Sequence, residues 1–158
     1  AEFDPALLHL VGIDAVELEP WERQAIDYQQ LQGSTVLIEN LGGTGDFATS
    51  FRDQLNSHFP GIEDVVSTRS DIITGRKLPE GSKSNRRVEY REMPPGRSRL
   101  MLRGYQIDRR YPVLLSYEDL SYAMQGKDGQ FINGYTTGSA RNLMLNILLE
   151  AEKAKGGG

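Results

Sequence analysis

The sequence predicts an α/β domain with a mostly parallel sheet and helices on its faces. Two observations support this prediction. Short apolar runs alternate with helix-like segments in the order β-α-β-α-β up to residue 68, and short connections between such elements are typical of parallel sheets. The chain has 158 residues, which suits one domain that buries a core without disulfides or metal.

Five segments are predicted to be strands because they are short, apolar and bounded by turn residues. They cover residues 6–11, 35–39, 63–68, 99–107 and 111–117. We expect the first three to be parallel strands. The last two form a predicted hairpin with Asp108 and Arg109 in its turn.

Four segments are predicted to be helical, over residues 20–32, 47–58, 118–125 and 139–155. Pro20 suits a first helical position, Gly33 suits a stop, and Asp46 is the expected N-cap of the second helix. The faces expected to pack on the sheet follow the helical repeat. They consist of Trp21, Ala25, Tyr28 and Leu31, then Phe47, Phe51 and Leu55, and finally Ala140, Leu143, Met144, Ile147, Leu148 and Ala151.

Residues 69–98 interrupt this pattern with three Pro, three Gly and many charges. We interpret them as a long basic excursion from the domain, with a short strand at 86–92. Loops of this length inside a compact domain are usually functional or mobile. We expect one domain over residues 1–155, and a disordered tail or an expression remnant at 156–158.

The charge is distributed unevenly along the chain. Residues 76–110 contain eleven Lys or Arg against four Asp or Glu, a net charge of +7, while the rest carries −11. This segment is either a solvated basic loop or an anion-binding surface. The candidate anion-binding residues are Arg86, Arg87, Arg103, Arg109 and Arg110. Nucleic acid is not expected as a partner, because only Tyr90 and Tyr105 supply aromatic rings for base stacking.

Composition excludes several chemistries. The chain has no cysteine, so disulfides, thiolate zinc sites and cysteine nucleophiles are absent. His9 and His58 are the only histidines, and we expect no metal site and no cofactor, although a carboxylate-bound Mg²⁺ or Ca²⁺ is left open. No apolar run approaches the roughly 20 residues of a membrane span.

The stretch VLIENLGGTGDFATSFRDQL, residues 36–55, predicts a strand, a glycine turn and a helix, and its role has alternatives. A dinucleotide could bind Gly43-x-Gly45-x-x-Ala48, with Glu63 and Asp64 about twenty residues on. A nucleophile elbow would place Asn40, Glu39 or Thr44 above the sheet. The turn could also be purely structural, or it could hold a ligand without covalent chemistry.

The order of segments resembles a known family. PALLHLVG, then LEPWERQAIDYQQLQGSTVLIENLGGTGDFATSFRDQLNSHFPG, LRGYQIDRRYPVLLSYEDLSYAM and GYTTGSARNLMLNILLEA are similar to a bacterial domain of unknown function, family 4159, of the class I glutamine amidotransferase-like superfamily. The resemblance implies a flavodoxin-like three-layer sandwich. It also implies one more strand and helix before residue 6, so this chain would lack its first strand and helix.

The resemblance further implies where catalytic residues would lie. Amidotransferases carry a Cys on the elbow, here nearest Asn40, and a His-Pro-Glu after a later strand, here Ser116-Tyr117-Glu118. A Glu matches, but an Asn replaces the Cys and a Ser replaces the His. Without a thiolate and its base, glutaminase chemistry is excluded.

We therefore expect a binding or interaction module without the Cys-His-Glu triad, inside a larger bacterial protein. Its partners would be a small ligand, a protein or other domains of the same polypeptide, and the cell envelope or periplasm is favoured over the cytoplasm. The expected site is the crevice at the strand ends, formed by Glu39, Asn40, Gly42, Gly43, Thr44, Gly45, Ser116, Tyr117, Glu118 and Asp119. The alternatives are a carboxylate- or metal-dependent hydrolase using Glu39, Glu118 or Asp119, and anion or nucleic-acid binding through residues 76–110.

Overall fold

A computed structural model describes residues 4–55, 63–79, 88–92, 101–126 and 132–156. The strands are β1 (Leu7–Gly12), β2 (Thr35–Asn40), β3 (Asp64–Val65), β4 (Arg103–Ile107) and β5 (Arg110–Ser116). Within the described residues, the α-helices are α1 (Pro20–Leu31), α2 (Phe47–Leu55), α3 (Asp71–Thr74), α4 (Ser121–Met124) and α5 (Thr137–Gly156). The predicted α/β class is confirmed.

The five strands form one mixed sheet in the order β1-β2-β5-β4-β3. β1, β2 and β5 run parallel, and β4 is antiparallel to both of its neighbours. Four of the five strands therefore point the same way, and their carboxyl ends share one edge of the sheet. β4 and β5 are the predicted hairpin, with Asp108 and Arg109 at the positive φ values of 50° and 65° in its turn.

Helices cover both faces of the sheet because side chains alternate along each buried strand. On one face, Leu37 of β2 and Leu114 of β5 pack against α3, α4 and α5. On the other face, Ile38 and Leu115 pack against α2 and the buried Ile26 of α1. The sheet thus lies between two separate hydrophobic clusters.

The third predicted strand is shorter than expected and runs in a different pairing. Only Asp64 and Val65 pair, antiparallel to β4 at the far edge of the sheet. The Val66 N–H still donates to the Leu102 carbonyl oxygen (2.9 Å), but its side chain turns into the core. β3 points the same way as β1 and β2, but the prediction of a strand over 63–68 paired in parallel is wrong, because an apolar pair of valines does not specify which strand lies beside it.

The face of α1 that was expected to pack on the sheet is exposed. Trp21, Tyr28 and Leu31 are 67%, 49% and 84% exposed, and Ala25 is exposed as well. Ile26, on another face, is the residue that α1 buries. The prediction is wrong because a helix with apolar residues on two faces can bury either one, and here the single Ile26 reaches the core.

The buried faces predicted for α2 and α5 are confirmed at most positions. Phe51 and Leu55 of α2 are buried, and the inner face of α5 is buried at Ala140, Leu143, Ile147 and Ala151. Leu148 was expected on that face but is 41% exposed. From the excursion, the structure describes residues 69–79 and 88–92, where Tyr90 forms an isolated antiparallel bridge with Tyr135. Residues 80–87 and 93–98, including Arg86 and Arg87, lie outside the described residues.

Candidate functional site

The two groups of side chains expected to form a site lie next to each other at the carboxyl ends of β2 and β5. Glu39 is the register partner of Ser116 across the parallel pair. The Gly42 N–H donates to Asp119 Oδ1 (3.0 Å), which joins the two strand ends directly. Six side chains of the predicted site are buried: Glu39, Asn40, Ser116, Tyr117, Glu118 and Asp119.

Glu39 is a fully buried carboxylate whose oxygens have four polar neighbours. Its Oε2 accepts hydrogen bonds from the backbone N–H groups of Leu120 (2.9 Å) and Ser121 (2.8 Å). Its Oε1 accepts from the Ser121 hydroxyl (2.8 Å) and lies 2.7 Å from His9 Nε2. A carboxylate offers about four acceptor positions, so these contacts leave Glu39 little capacity for a ligand.

Asn40 acts as a helix cap and not as the tip of an elbow. Its Oδ1 accepts from the Ala48 N–H (2.8 Å), and its Nδ2 donates to the Gly45 carbonyl oxygen (3.3 Å). It therefore satisfies one of the free N–H groups at the start of α2. Asp46, the expected N-cap, precedes the helix with an exposed side chain, and the cap bond comes instead from the end of β2.

The glycines of the turn are required by backbone geometry. Gly42, Gly43 and Gly45 have φ values of 76°, 72° and 88°, in the left-handed region where other residues are strained. A Cβ on Gly43 would lie 1.7 Å from the Asn133 carbonyl oxygen, and one on Gly45 would lie 2.1 Å from the Ile13 carbonyl oxygen. These contacts favour the structural interpretation of the turn. Thr44 is exposed between them.

The dinucleotide interpretation does not fit this geometry. Glu63 and Asp64 lie at β3, which β5 and β4 separate from β2, and Glu63 accepts a hydrogen bond from Arg103 Nε (2.8 Å). The N–H groups at the start of α2, which a phosphate would need, donate to the Ile13 carbonyl oxygen and to Asn40 Oδ1. In the turn itself, the Gly42 N–H donates to the Asp119 carboxylate. A phosphate at the turn would face that carboxylate.

Asp119 ties three segments together. Its carboxylate accepts from the N–H groups of Gly42 (3.0 Å), Ala123 (2.9 Å) and Tyr122 (3.3 Å), and its own N–H donates to the Asn133 carbonyl oxygen (2.8 Å). Burial raises the pKa of Asp119, and the hydrogen bonds from Gly42 and Ala123 oppose that rise. These hydrogen bonds all join Asp119 to backbone groups, so Asp119 connects the glycine turn, α4 and the segment at Asn133.

The residues that follow β5 divide between the two faces of the sheet. The Ser116 hydroxyl donates to the Glu118 carbonyl oxygen (2.6 Å). Tyr117 lies on the opposite face, where its hydroxyl donates to Glu63 Oε1 (3.0 Å) and accepts from Arg52 Nη1 (3.2 Å). Burial and the nearby Glu63 raise the pKa of Tyr117 to about 12. Tyr117 therefore does not belong to the same crevice as Glu39.

The three candidate anion-binding arginines that the structure describes do not form one patch. Arg103 begins β4 and is paired with Glu63, whereas Arg109 and Arg110 lie at the other end of the hairpin. Four residues of strand, roughly 14 Å at 3.4 Å per residue, separate the two ends. Arg110 Nη2 donates to the Gly33 carbonyl oxygen (2.8 Å), and burial lowers the pKa of Arg110.

Sequence reasoning missed an apolar cavity of about 230 Å³ on the α5 face of the sheet. Its walls include Val65, Val66, Ile73, Met101, Leu102 and Leu143. Tyr90 and Tyr135 also line it, with ring centroids 5.0 Å apart. The Tyr135 N–H donates to the Asp119 carbonyl oxygen (3.3 Å), so the cavity adjoins the strand-end crevice. No local pattern in the sequence indicates this cavity, because its walls come from several separate segments.

Within the described ranges, no three His, Asp or Glu side chains are grouped as metal ligands, and no helix is long and apolar enough to cross a membrane. No protein-family model matches the sequence, and no curated protein matches it significantly. These comparisons transfer no function to the chain.

Proposed function

We propose that the chain is a non-catalytic binding module that holds a small apolar molecule in the cavity beside α5. The cavity carries this proposal, because apolar pockets with a few polar groups are the usual binding sites for small molecules. The polar groups among its lining residues are the hydroxyls of Thr68, Tyr90 and Tyr135. An apolar molecule that fills such a cavity removes apolar surface from water, which is favourable.

The size of the cavity sets the size of the ligand. Its volume of about 230 Å³ exceeds the roughly 150 Å³ of a cavity that binds benzene. It is smaller than the roughly 300–1,000 Å³ of pockets for drug-sized molecules. The proposed ligand is therefore a molecule of one or two rings, or an aliphatic molecule of similar volume.

The polar crevice supports a non-catalytic role. A general acid or base must reach the proton that it transfers. The carboxylate of Glu39 is surrounded by Leu120, Ser121 and His9, and that of Asp119 by backbone N–H groups. The hydrolase alternative would require these contacts to break before substrate could bind.

We propose further that the fold is a variant of the flavodoxin-like, amidotransferase-like scaffold within a larger bacterial protein. Three parallel strands with helices on both faces support this assignment. The antiparallel β4 and the two-residue β3 depart from a fully parallel sheet. On this scaffold, Asn40 and Ser116 stand at the positions of the nucleophile and its base.

Indole is a suitable probe of the cavity because it is aromatic and of the right volume. We expect indole at ten times its Kd to raise the free energy of unfolding by about 1.4 kcal/mol. A stabilisation of that size raises Tm by roughly 3–6 °C in a chain of this length. Differential scanning calorimetry measures the shift.

A matched pair of variants locates the binding. Met101 lines the cavity and is 42% exposed, whereas Leu148 on α5 is 41% exposed and lines none of the cavities described here. We expect Met101→Trp to block the cavity and abolish the indole shift, and Leu148→Trp to preserve it. No indole shift in the wild type, or an unchanged shift in Met101→Trp, would contradict the proposal.

A further inference from the structure

A second kind of cavity lies at the opposite end of the sheet, beside the β4–β5 turn. It has a volume of about 240 Å³. Its lining includes three basic side chains and two hydroxyls, from Arg69, Lys77, Arg109, Ser67 and Ser70. A neighbouring cavity of about 330 Å³ shares Arg109, Asp71 and Glu150 with it and adds Arg110, Lys153 and Asp108. Basic side chains from β5, α5 and the segments around α3 therefore converge at one place.

Arg109 stands where the turn would favour glycine. Its φ is 65° and that of Asp108 is 50°, the pattern of a two-residue hairpin turn in which Asn-Gly or Asp-Gly is preferred. Within the described part of the chain, the guanidinium of Arg109 has no hydrogen-bond or ion-pair partner. Arg109 is exposed, and a residue other than glycine held at positive φ beside a cavity supports a hypothesis of function.

Ser70 supplies a second, independent sign of a ligand. Its Oγ is buried at the cavity and has no hydrogen-bond partner among the described residues. Buried hydroxyls are nearly always satisfied, and an exception indicates a missing water, ion or ligand. Because the Oγ atom itself is closed to solvent, Ser70 donates to an acceptor atom in the cavity once its side chain rotates towards it.

Two acids share the cavity with these donors. Asp71 and Glu150 line it, so the three bases exceed the acids by one charge. Burial, with Asp71 nearby, raises the pKa of Glu150 to about 7, while a hydrogen bond from the Tyr111 backbone and the charges of Arg110 and Lys153 lower it. Protonation of Glu150 raises the excess of positive charge and adds a donor.

We propose that this cavity binds a small tetrahedral oxyanion, such as a phosphate or sulfate group, through the guanidinium of Arg109, the charges of Arg69 and Lys77, and the Ser70 hydroxyl. Charge-assisted hydrogen bonds from Arg are the strongest protein contacts to such groups. This site is separate from the apolar cavity, and either one can fail without the other.

Sulfate is the best probe because its charge does not change between pH 6 and pH 8. The whole chain is titrated with sodium sulfate at pH 6, with sodium chloride keeping the ionic strength constant, and binding is read from Tm. We expect specific stabilisation by sulfate in the millimolar range. We expect Arg109→Gly to weaken sulfate binding at least about fivefold, because the substitution removes the positive charge of the guanidinium. Its Tm without sulfate should rise, because glycine suits the turn.

Asp108→Gly is the matched control in the same turn. It relieves the same kind of strain but removes a negative charge, so Tm should rise while sulfate binding is kept or strengthened. Glu150→Gln should bind sulfate equally at pH 6 and pH 8, whereas the wild type should bind more weakly at pH 8. Equal effects of sulfate and chloride on the wild type, or full sulfate binding by Arg109→Gly, would overturn the proposal.

A further arm distinguishes a free anion from a phosphate carried by a larger molecule. Glycerol 3-phosphate presents the same oxyanion with a small organic group, which the neighbouring cavity of about 330 Å³ can accept. Tighter binding of glycerol 3-phosphate than of inorganic phosphate would assign the site to phosphate monoesters. Equal or weaker binding would assign it to the free anion.

Discussion

Glu39 is a strand-end carboxylate whose hydrogen bonds join β2 to the start of α4. Its oxygens are occupied by two backbone N–H groups, a hydroxyl and an imidazole. We expect Glu39→Gln to lower the free energy of unfolding by about 1–3 kcal/mol, because the charge that strengthens these hydrogen bonds is lost and the amide nitrogen cannot accept. Urea unfolding measures the loss.

Glu17→Gln is the control for that change. Glu17 is exposed, and surface substitutions away from such contacts usually stay within about 0.5 kcal/mol. Equal stability of the two variants would mean that the contacts of Glu39 contribute nothing to the fold.

Glu150 makes stability depend on pH in the direction opposite to that of an ordinary ion pair. Its pKa is raised from 4.5 to about 7, so the folded state binds more protons than the unfolded state between these values. Stability should therefore fall as pH rises from about 4.5 to about 7, and level off above that. The part of the fall due to Glu150 is on the order of 2 kcal/mol, because each pKa unit is worth about 1.4 kcal/mol and the group keeps some solvent contact.

Glu150→Gln tests this pH dependence directly. The variant should be more stable than the wild type at pH 8, and the difference should shrink towards pH 5 because the wild-type carboxyl is then protonated. Chemical denaturation at both pH values measures the difference. A variant that is less stable than the wild type at pH 8 would show that the charged carboxylate is favourable.

At the scale of elements, the glycine turn after β2 offers a matched pair of substitutions. Gly42 and Gly43 have nearly equal φ values of 76° and 72°, but a Cβ on Gly42 meets nothing within 4 Å, whereas one on Gly43 meets the Asn133 carbonyl oxygen at 1.7 Å. We expect Gly42→Ala to cost about 1–2 kcal/mol through backbone strain alone. Gly43→Ala should cost at least about 2 kcal/mol more, since the segment at Asn133 must move.

Equilibrium unfolding of both variants gives the two costs. Similar losses in free energy of unfolding would mean that the turn does not pack closely on the segment at 132–136. The two glycines would then be needed only for their positive φ.

The limits of the sequence are also clearest at this scale. β1, β2, the β4–β5 hairpin, α2 and α5 were predictable because apolar periodicity and turn residues are local signals. The packing face of α1 was not, because burial of Ile26 instead of Trp21 depends on the position of the sheet. The pairing of β3 likewise depends on β4, which lies far along the chain.

The site illustrates the same limit. Strand order and motif spacing predicted that Glu39 and Asp119 lie at one edge of the sheet. Their hydrogen-bond partners, however, lie up to 82 residues away in sequence. No local pattern shows whether such a carboxylate is free or satisfied. The cavity beside α5 is formed by residues from several separate segments, and no single one of them indicates an empty volume.

On the scale of the whole molecule, the two ends of the sheet have different characters. Polar groups at the carboxyl ends of the strands hold the chain together and leave an apolar cavity beside them, whereas the cavity beside the β4–β5 turn is lined by three basic and two acidic side chains. The exposed Trp21, Tyr28 and Leu31 add an apolar surface on α1, which competes with the cavity for any apolar probe.

Methyl NMR of the chain titrated with indole directly tests whether an apolar molecule binds in the cavity beside α5. We predict that intermolecular contacts and saturating shifts appear at the methyl groups of Ile73, Leu102 and Leu143, which line the cavity. Shifts confined to the methyl groups of Leu31 on α1, with none in the cavity, would contradict binding in the cavity and assign apolar binding to the surface of α1.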